Sequence, residues 1–466
     1  MNSKEYTYYY FLGVGGIGMS ALARYFNFKG ARVLGYDRTP SELTHALQKE
    51  GIEVLFDQEV DAIPQIIRDN KDTTLVIYTP AIPANMPQFV YLQSLGYTCV
   101  KRAQVLGYIC NNQSGIAISG THGKTSVTTF TSHILYNSAQ GCNAFLGGIS
   151  KNFRSNYVFH PTSSHVVVEA DEYDRSFHNL FPNTALVTSM DSDHLDIYGS
   201  HAAILDSFKK FISQIKPDGT FIYKKNLDVS ESLDQLQDKG IRVYSYALQD
   251  IRADFYARSI QRQHNWYIID LVTPFGDIEH IQCNLPGKVN IENMIAASAI
   301  ALCNGVQASE LVAALATLQG VERRLDVQVA NNHVVYIDDY AHHPEELKAC
   351  ISSIKELYSN KKITGIFQPH LYSRTRDFAK EFGASLSLLD EVILLDIYAA
   401  RELPIDGVTS TLIFDEITDT QKCIVSKQEL LNYIEHNVPQ VLITMGAGDI
   451  DRFVKPIGDL LKRITQ

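Results

Sequence analysis

Gly120-Thr121-His122-Gly123-Lys124-Thr125-Ser126 follows an apolar run over 115–118 and precedes a stretch of helical character. Residues of these types at this spacing suit a nucleoside triphosphate. The glycines let backbone N–H groups face phosphate oxygens at a helix start, Lys124 offers charge to the β and γ phosphates, and the Thr125 hydroxyl can ligate Mg2+. The strict phosphate-loop spacing puts a glycine five places before Gly123; here that place is Ile118. Glu169 comes directly after Val166-Val167-Val168, where a strand-end carboxylate would hold Mg2+ opposite Lys124. Its neighbours Asp171, Glu172 and Asp174 also admit a plainer reading as a solvated acidic turn. His194, between Asp193 and Asp196, follows the apolar run at Ala185 in the same manner.

Three further motifs have chemistry-bearing residues at element ends. Gly13-Val14-Gly15-Gly16-Ile17-Gly18 lies between a strand and a helix, with Asp37 at the end of the next strand. That context fits a dinucleotide fingerprint, another nucleotide diphosphate, or glycines serving only packing. Asp338-Asp339-Tyr340-Ala341-His342-His343-Pro344 can be an ordinary helix N-terminus, or can bring one His and one Asp to a ligand. Adjacent histidines share no helix or strand face, so a two-His metal site is not expected. In Phe367-Gln368-Pro369-His370-Leu371-Tyr372-Ser373-Arg374-Thr375-Arg376 the arginines can bind a carboxylate bidentately or be surface charges.

These motifs need a scaffold of parallel strands and helices. A chain of 466 residues implies about three domains. Residues 7–100 alternate strand-like and helix-like pieces as a Rossmann-like unit. A middle segment has strands at 166–168 and 185–187, β character over 243–283, and an alanine-rich helical stretch over 291–316. Alternation restarts after His333, with strands at 334–337, 363–367, 392–395 and 441–444. The expectation is an α/β protein of three domains: a Rossmann-like N-terminal domain over 1–106, a phosphate-loop central domain over 107–324 and a Rossmann-like C-terminal domain over 325–466.

Apolar residues make up 45% and charged residues 20% of the chain, a globular balance, and the net charge of −11 argues against nucleic acid or anionic membrane as a general partner. The seven scattered cysteines lack metal-ligand spacing and fit reduced thiols. The N-terminal residues show no secretory pattern and no apolar run reaches membrane-spanning length, so a cytoplasmic protein is expected.

Taken in order, the segments 13–20, 120–125, 169–177, 193–198 and 338–344, with Asn290, Asn293, Arg323, Arg324 and 367–376, resemble the Mur family of peptidoglycan amide ligases along nearly the whole chain. The resemblance implies ATP and Mg2+ as cofactors and, in the branch matched best, UDP-N-acetylmuramate and L-alanine as substrates. The lactyl carboxylate would take the γ-phosphate to form an acyl phosphate, which the amine then attacks. A sibling branch instead adds a ready-made L-Ala-D-Glu-diaminopimelate tripeptide. Position by position, the resemblance implies that Gly120 to Ser126 hold the triphosphate, with Lys124 stabilising charge on the phosphoryl group. Thr125 and Glu169 would hold one Mg2+ and His194 a second, while Asn290, Asn293, Arg324 and Asp339 would face the nucleotide. Gly15, Gly16, Gly18, Asp37 and Thr79 would serve the UDP part, and His343, Arg374 and Arg376 the amino acid. Leu371 stands where many relatives have Arg, which leaves the alanine carboxylate to Arg374 or Arg376. Lys209 and Lys210 lie where sibling enzymes have a carbamylated lysine, and neither is assigned that role. A monomer or weak homodimer is expected. The competing readings are an NAD-dependent oxidoreductase built on Gly13 to Gly18, and a nucleotide sensor without turnover.

Overall fold

The computed structural model describes residues 6–191, 195–263, 266–400 and 402–465. They form α/β architecture on three sheets. The chain divides into two compact units: one contains 1–262, 267–283 and 292–319, and the other 263–266, 284–291 and 320–466.

In the first unit, five parallel strands lie in the order Glu53–Leu55, Arg32–Tyr36, Tyr8–Leu12, Thr74–Tyr78, Thr98–Lys101. The central three are almost wholly buried, as expected where helices cover both faces of a parallel sheet. The glycine turn leads from the first strand into the helix Ile17–Phe28. The second sheet of this unit has ten strands, and its centre is Ser114–Ser119 flanked by His165–Glu169 and Thr184–Val187. The region of β character resolves into Arg242–Ala247, Phe255–Gln263, Trp266–Val272 and Ile278–Cys283 at one end of this sheet.

One hydrophobic cluster extends from Tyr9, Phe11 and Leu22 beneath the first sheet to Val168, Phe208 and Phe221 beneath the second. Buried Arg24 strengthens the junction: it pairs with Glu50 at 2.7 Å and bonds Asn156 of the second sheet. The helix Arg102–Asn111 lies at the expected domain boundary. Its Gly107 leaves room for the Asn179 backbone, since an added Cβ would stand 2.5 Å from the Asn179 carbonyl oxygen. The single helical stretch expected over 291–316 is two helices, Lys288–Cys303 and Ala308–Ala316, parted by Gly305 at φ +90°.

The second unit has a six-stranded sheet in the order Asp326–Ala330, Val335–Asp339, Val441–Met445, Ile363–Phe367, Glu391–Leu394, Gln421–Ile424. Only the first of these runs antiparallel to its neighbour. Val334, Tyr336, Ile366, Leu442 and Leu461 belong to its own core cluster. All seven cysteines are free thiols, four of them buried. Among the described residues no helix is long and apolar enough to cross a membrane.

Candidate nucleotide and substrate sites

The phosphate loop stands on the carboxyl ends of three adjacent parallel strands. Gly120 at φ +132° and Gly123 at φ +83° adopt left-handed backbone that side chains disfavour, and a Cβ on Gly120 would lie 2.8 Å from the Ser189 nitrogen. Residues after the flanking strand Thr184–Val187 fasten the loop. The Ser189 hydroxyl accepts from the His122 N–H at 2.8 Å and meets the Thr121 hydroxyl at 2.8 Å, while the Thr188 hydroxyl donates to the His122 carbonyl. Asp191 approaches the His122 imidazole at 3.8 Å. The loop ends in the helix Lys124–Tyr136, whose many threonines and serines favour helix poorly; burial of eleven of its residues overrides that preference.

Lys124 donates to the Gly120 carbonyl at 2.6 Å and to Glu172 at 2.9 Å, with the Glu172 side chain only 2% exposed. Burial works against the Lys124 ammonium, but the negative charges of Glu172, Asp171 and Glu169 outweigh it and hold its pKa above the ordinary value. The Thr125 hydroxyl donates to Glu169 at 3.0 Å. Glu169 ends its strand opposite Gly147, and a Cβ there would lie 2.6 Å from the Glu169 carboxyl carbon. The pair supplies hard oxygen donors of the kind Mg2+ prefers. His194, the other expected metal ligand, lies outside the described residues, among which no three His, Cys, Asp or Glu side chains converge as a metal cluster. Asn293 faces the loop: its Oδ1 is 3.1 Å from where a Gly123 Cβ would stand. Ser126 is buried in the first turn of the same helix.

The acidic run 169–174 is not uniformly solvated. Asp174 and Arg175 adopt φ near +50° and turn the chain so that Glu172 points inward, while Asp174 meets Lys101 at 3.5 Å and Asp171 meets Arg102 at 3.7 Å. At the first glycine turn, Asp37 accepts from the Gly15 N–H at 2.7 Å, so this carboxylate shapes the loop. Thr79 packs where a Gly13 Cβ would be, and the Arg102 guanidinium lies where a Gly18 Cβ would be. Gly16 is the N-cap of the following helix.

In the second unit, Asp339 ends a central strand and accepts from the Leu325 N–H at 2.7 Å and the Ala341 N–H at 2.8 Å. Burial pushes its pKa up to about 6 against the opposing charge of Arg324. Arg324 sits 5.3 Å over the Tyr340 ring and 3.8 Å from Glu346. Asn290 is buried and donates to the Pro286 carbonyl at 2.7 Å. His343 caps the helix Pro344–Leu357 and packs against Phe378 at 5.2 Å. Its neighbour His342, the other histidine of the motif, stands 6.0 Å from His370 and 3.2 Å from Glu346. Burial lowers the His342 pKa, opposed by Glu346 and aided by the nearby charge of Arg374. Arg374 is half-buried and no described carboxylate lies within ion-pair distance of it, whereas Arg376 is exposed and bound to Asp377 at 2.7 Å. Ser189 and Gly147 are thus additions that only the fold reveals, and the fold also gives Glu172 and His342, members of motifs already noted, their particular partners.

Three family models match in succession: "Mur ligase family, catalytic domain" over residues 8–114, "Mur ligase middle domain" over 118–301 and "Mur ligase, glutamate ligase domain" over 323–448. A UDP-N-acetylmuramate–L-alanine ligase from Parabacteroides distasonis is 49% identical, covering 99% of this chain and 98% of that protein. Its counterpart from Porphyromonas gingivalis strain W83 is 48% identical, covering 98% and 99%. Among solved structures, a UDP-N-acetylmuramate-alanine ligase from Thermotoga maritima superposes with a TM-score of 0.80 at 24% identity, covering 98% of this chain and 99% of that one. A murein peptide ligase from Psychrobacter arcticus gives 0.69 at 20% identity, covering 98% of each. The glycine loops, the buried Lys124 and the strand-end acids therefore stand in a chain that belongs to the Mur ligase family.

Proposed function

We propose that this protein joins L-alanine to the lactyl carboxylate of UDP-N-acetylmuramate in an ATP-dependent, ADP-forming reaction of peptidoglycan precursor synthesis. The observation that carries the chemistry is the Lys124 ammonium, held at a helix start between the Gly120 carbonyl and buried Glu172, beside the Thr125–Glu169 pair. The choice of L-alanine is supported by the relatives that share nearly half of its residues from end to end.

A free carboxylate does not react with an amine at neutral pH, so its oxygen must first become part of a leaving group. In this reading the carboxylate takes the γ-phosphoryl group of ATP, releasing ADP, and the amine of L-alanine then displaces phosphate as the amide forms. Lys124 and the loop N–H groups orient the triphosphate and offset charge that develops on the transferred group. Thr125 and Glu169 would hold Mg2+, which when bound would neutralise phosphate charge; His194 is the proposed ligand of a second ion. Asn290, Asn293, Arg324 and Asp339 serve the nucleotide. Gly15, Gly16, Gly18 and Thr79 serve the UDP part, and Asp37 holds the first of these glycines in place. Arg374, which has no carboxylate of its own among the described residues, takes the L-alanine carboxylate, and His343 of the preceding motif helps to orient the amino acid. Functionally we divide the chain at 1–106, 107–324 and 325–466, and expect a cytoplasmic monomer or weak homodimer.

Phosphate release from ATP in the presence of UDP-N-acetylmuramate tests the reading, with L-alanine, the L-Ala-D-Glu-diaminopimelate tripeptide or no amine added. Release that depends on L-alanine is expected. Release with tripeptide alone would move the protein to the recycling branch, and release with neither would overturn the ligase reading.

A further inference from the structure

Arg102 is a candidate binding residue that no motif accounts for. It opens the helix Arg102–Asn111 and reaches back to the glycine turn, where its Nη1 and Cζ occupy the space a Gly18 Cβ would need. Its side chain is 24% exposed. The other end of the guanidinium faces Asp171 at 3.7 Å, too long for a hydrogen bond, and no described residue accepts a hydrogen bond from it. Five N–H donors in a largely enclosed place, held by one loose ion pair, are poised for a better acceptor. The surrounding chemistry points to a diphosphate. Gly18 lies in the first turn of the helix Ile17–Phe28, whose N-terminus favours an anion, and Asp37 adds negative charge at the same turn, so a diphosphate there needs a cation. Arg102, Glu169 and Asp171 line one small cavity of the same unit.

We propose that Arg102 binds the diphosphate of the sugar nucleotide at the Gly15–Gly18 turn, exchanging its loose pairing with Asp171 for phosphate oxygens. The inference rests on the reading that a uridine diphosphate sugar is the substrate. Leaving Asp171 frees that carboxylate, two residues after Glu169.

The test is calorimetric titration of the full-length protein with UDP and with uridine, comparing wild type with Arg102→Ala, Arg102→Lys and Asp171→Asn. Arg102→Ala should weaken UDP by about ten-fold or more and leave uridine unchanged, since only UDP has the phosphates. Arg102→Lys should recover part of the loss, and Asp171→Asn, which keeps the guanidinium, should bind UDP at least as tightly as wild type. Equal weakening of UDP and uridine, or equal loss in Asp171→Asn, would mean a disturbed junction and overturn the assignment. So would UDP affinity unchanged in Arg102→Ala. A wild-type protein that binds no UDP would overturn the sugar-nucleotide reading itself.

Discussion

The chemistry of two side chains is set by what surrounds them. Glu172 is buried against Lys124, so Lys124→Ala would leave a carboxylate enclosed without its cation. Such losses cost about 3 to 5 kcal/mol. We therefore expect a lower melting temperature as well as loss of substrate-dependent phosphate release by about 100-fold or more. A variant that releases ADP at the wild-type rate would remove Lys124 from the phosphoryl-transfer step. Asp339 differs in sign. Its pKa is raised to about 6, above the unfolded value near 3.9, so folding favours the protonated form. Its contribution to stability is therefore whole below about pH 4 and lost as pH rises through about 6, amounting to about 3 kcal/mol. Asp339→Asn cannot ionise, so its stability relative to wild type should improve between about pH 4 and pH 7. Parallel urea-denaturation curves at the two pH values would count against this assignment.

At the scale of elements, the site depends on strands that hold their neighbours' acids in place. Gly147, on the strand Asn143–Ser150, leaves the space that the Glu169 carboxyl fills. Gly147→Ala should displace that carboxylate from Thr125 and raise the Mg2+ concentration needed for half-maximal activity, with stability altered by only about 1 kcal/mol. An unchanged Mg2+ requirement would separate Glu169 from metal binding. The sequence made the phosphate loop legible because its chemistry is local: two glycines, a lysine and a threonine act through adjacent backbone. It showed Glu169 for the same reason, as the residue that ends a run of valines. It could not choose Glu172 among four acids, since that choice depends on left-handed backbone at Asp174 and Arg175 and on burial against Lys124. Nor could it show that Ser189, just past the end of a strand sixty-odd residues away, would hold the loop. The break near Gly305 was hidden because alanine-rich sequence on both sides favours helix.

For the whole molecule, three sheets do not imply three cooperative units. The cluster shared by the first two sheets and the buried Arg24 bridge make them one body, while residues 320–466 have a core of their own. Calorimetry should therefore resolve at most two unfolding transitions. Residues 320–466 alone should melt cooperatively; residues 1–106 alone, which keep the cluster of Tyr10, Leu34 and Val76 on one face of their sheet but lose the packing that the other face shares with the second sheet, should be markedly less stable than in the whole chain. Three independent transitions would contradict this. The free cysteines have a practical corollary. Burial raises the thiol of Cys99 to about 11 and those of Cys110 and Cys303 to about 12, and lifts Cys142, Cys350 and Cys423 as well, while Cys283 is enclosed. Because the thiolate is the reactive form, these native cysteines should be slow toward alkylating dyes at neutral pH. A single cysteine engineered onto an exposed helix would then be labelled selectively in the otherwise unaltered protein, giving a fluorescent reporter without first stripping out the natural thiols.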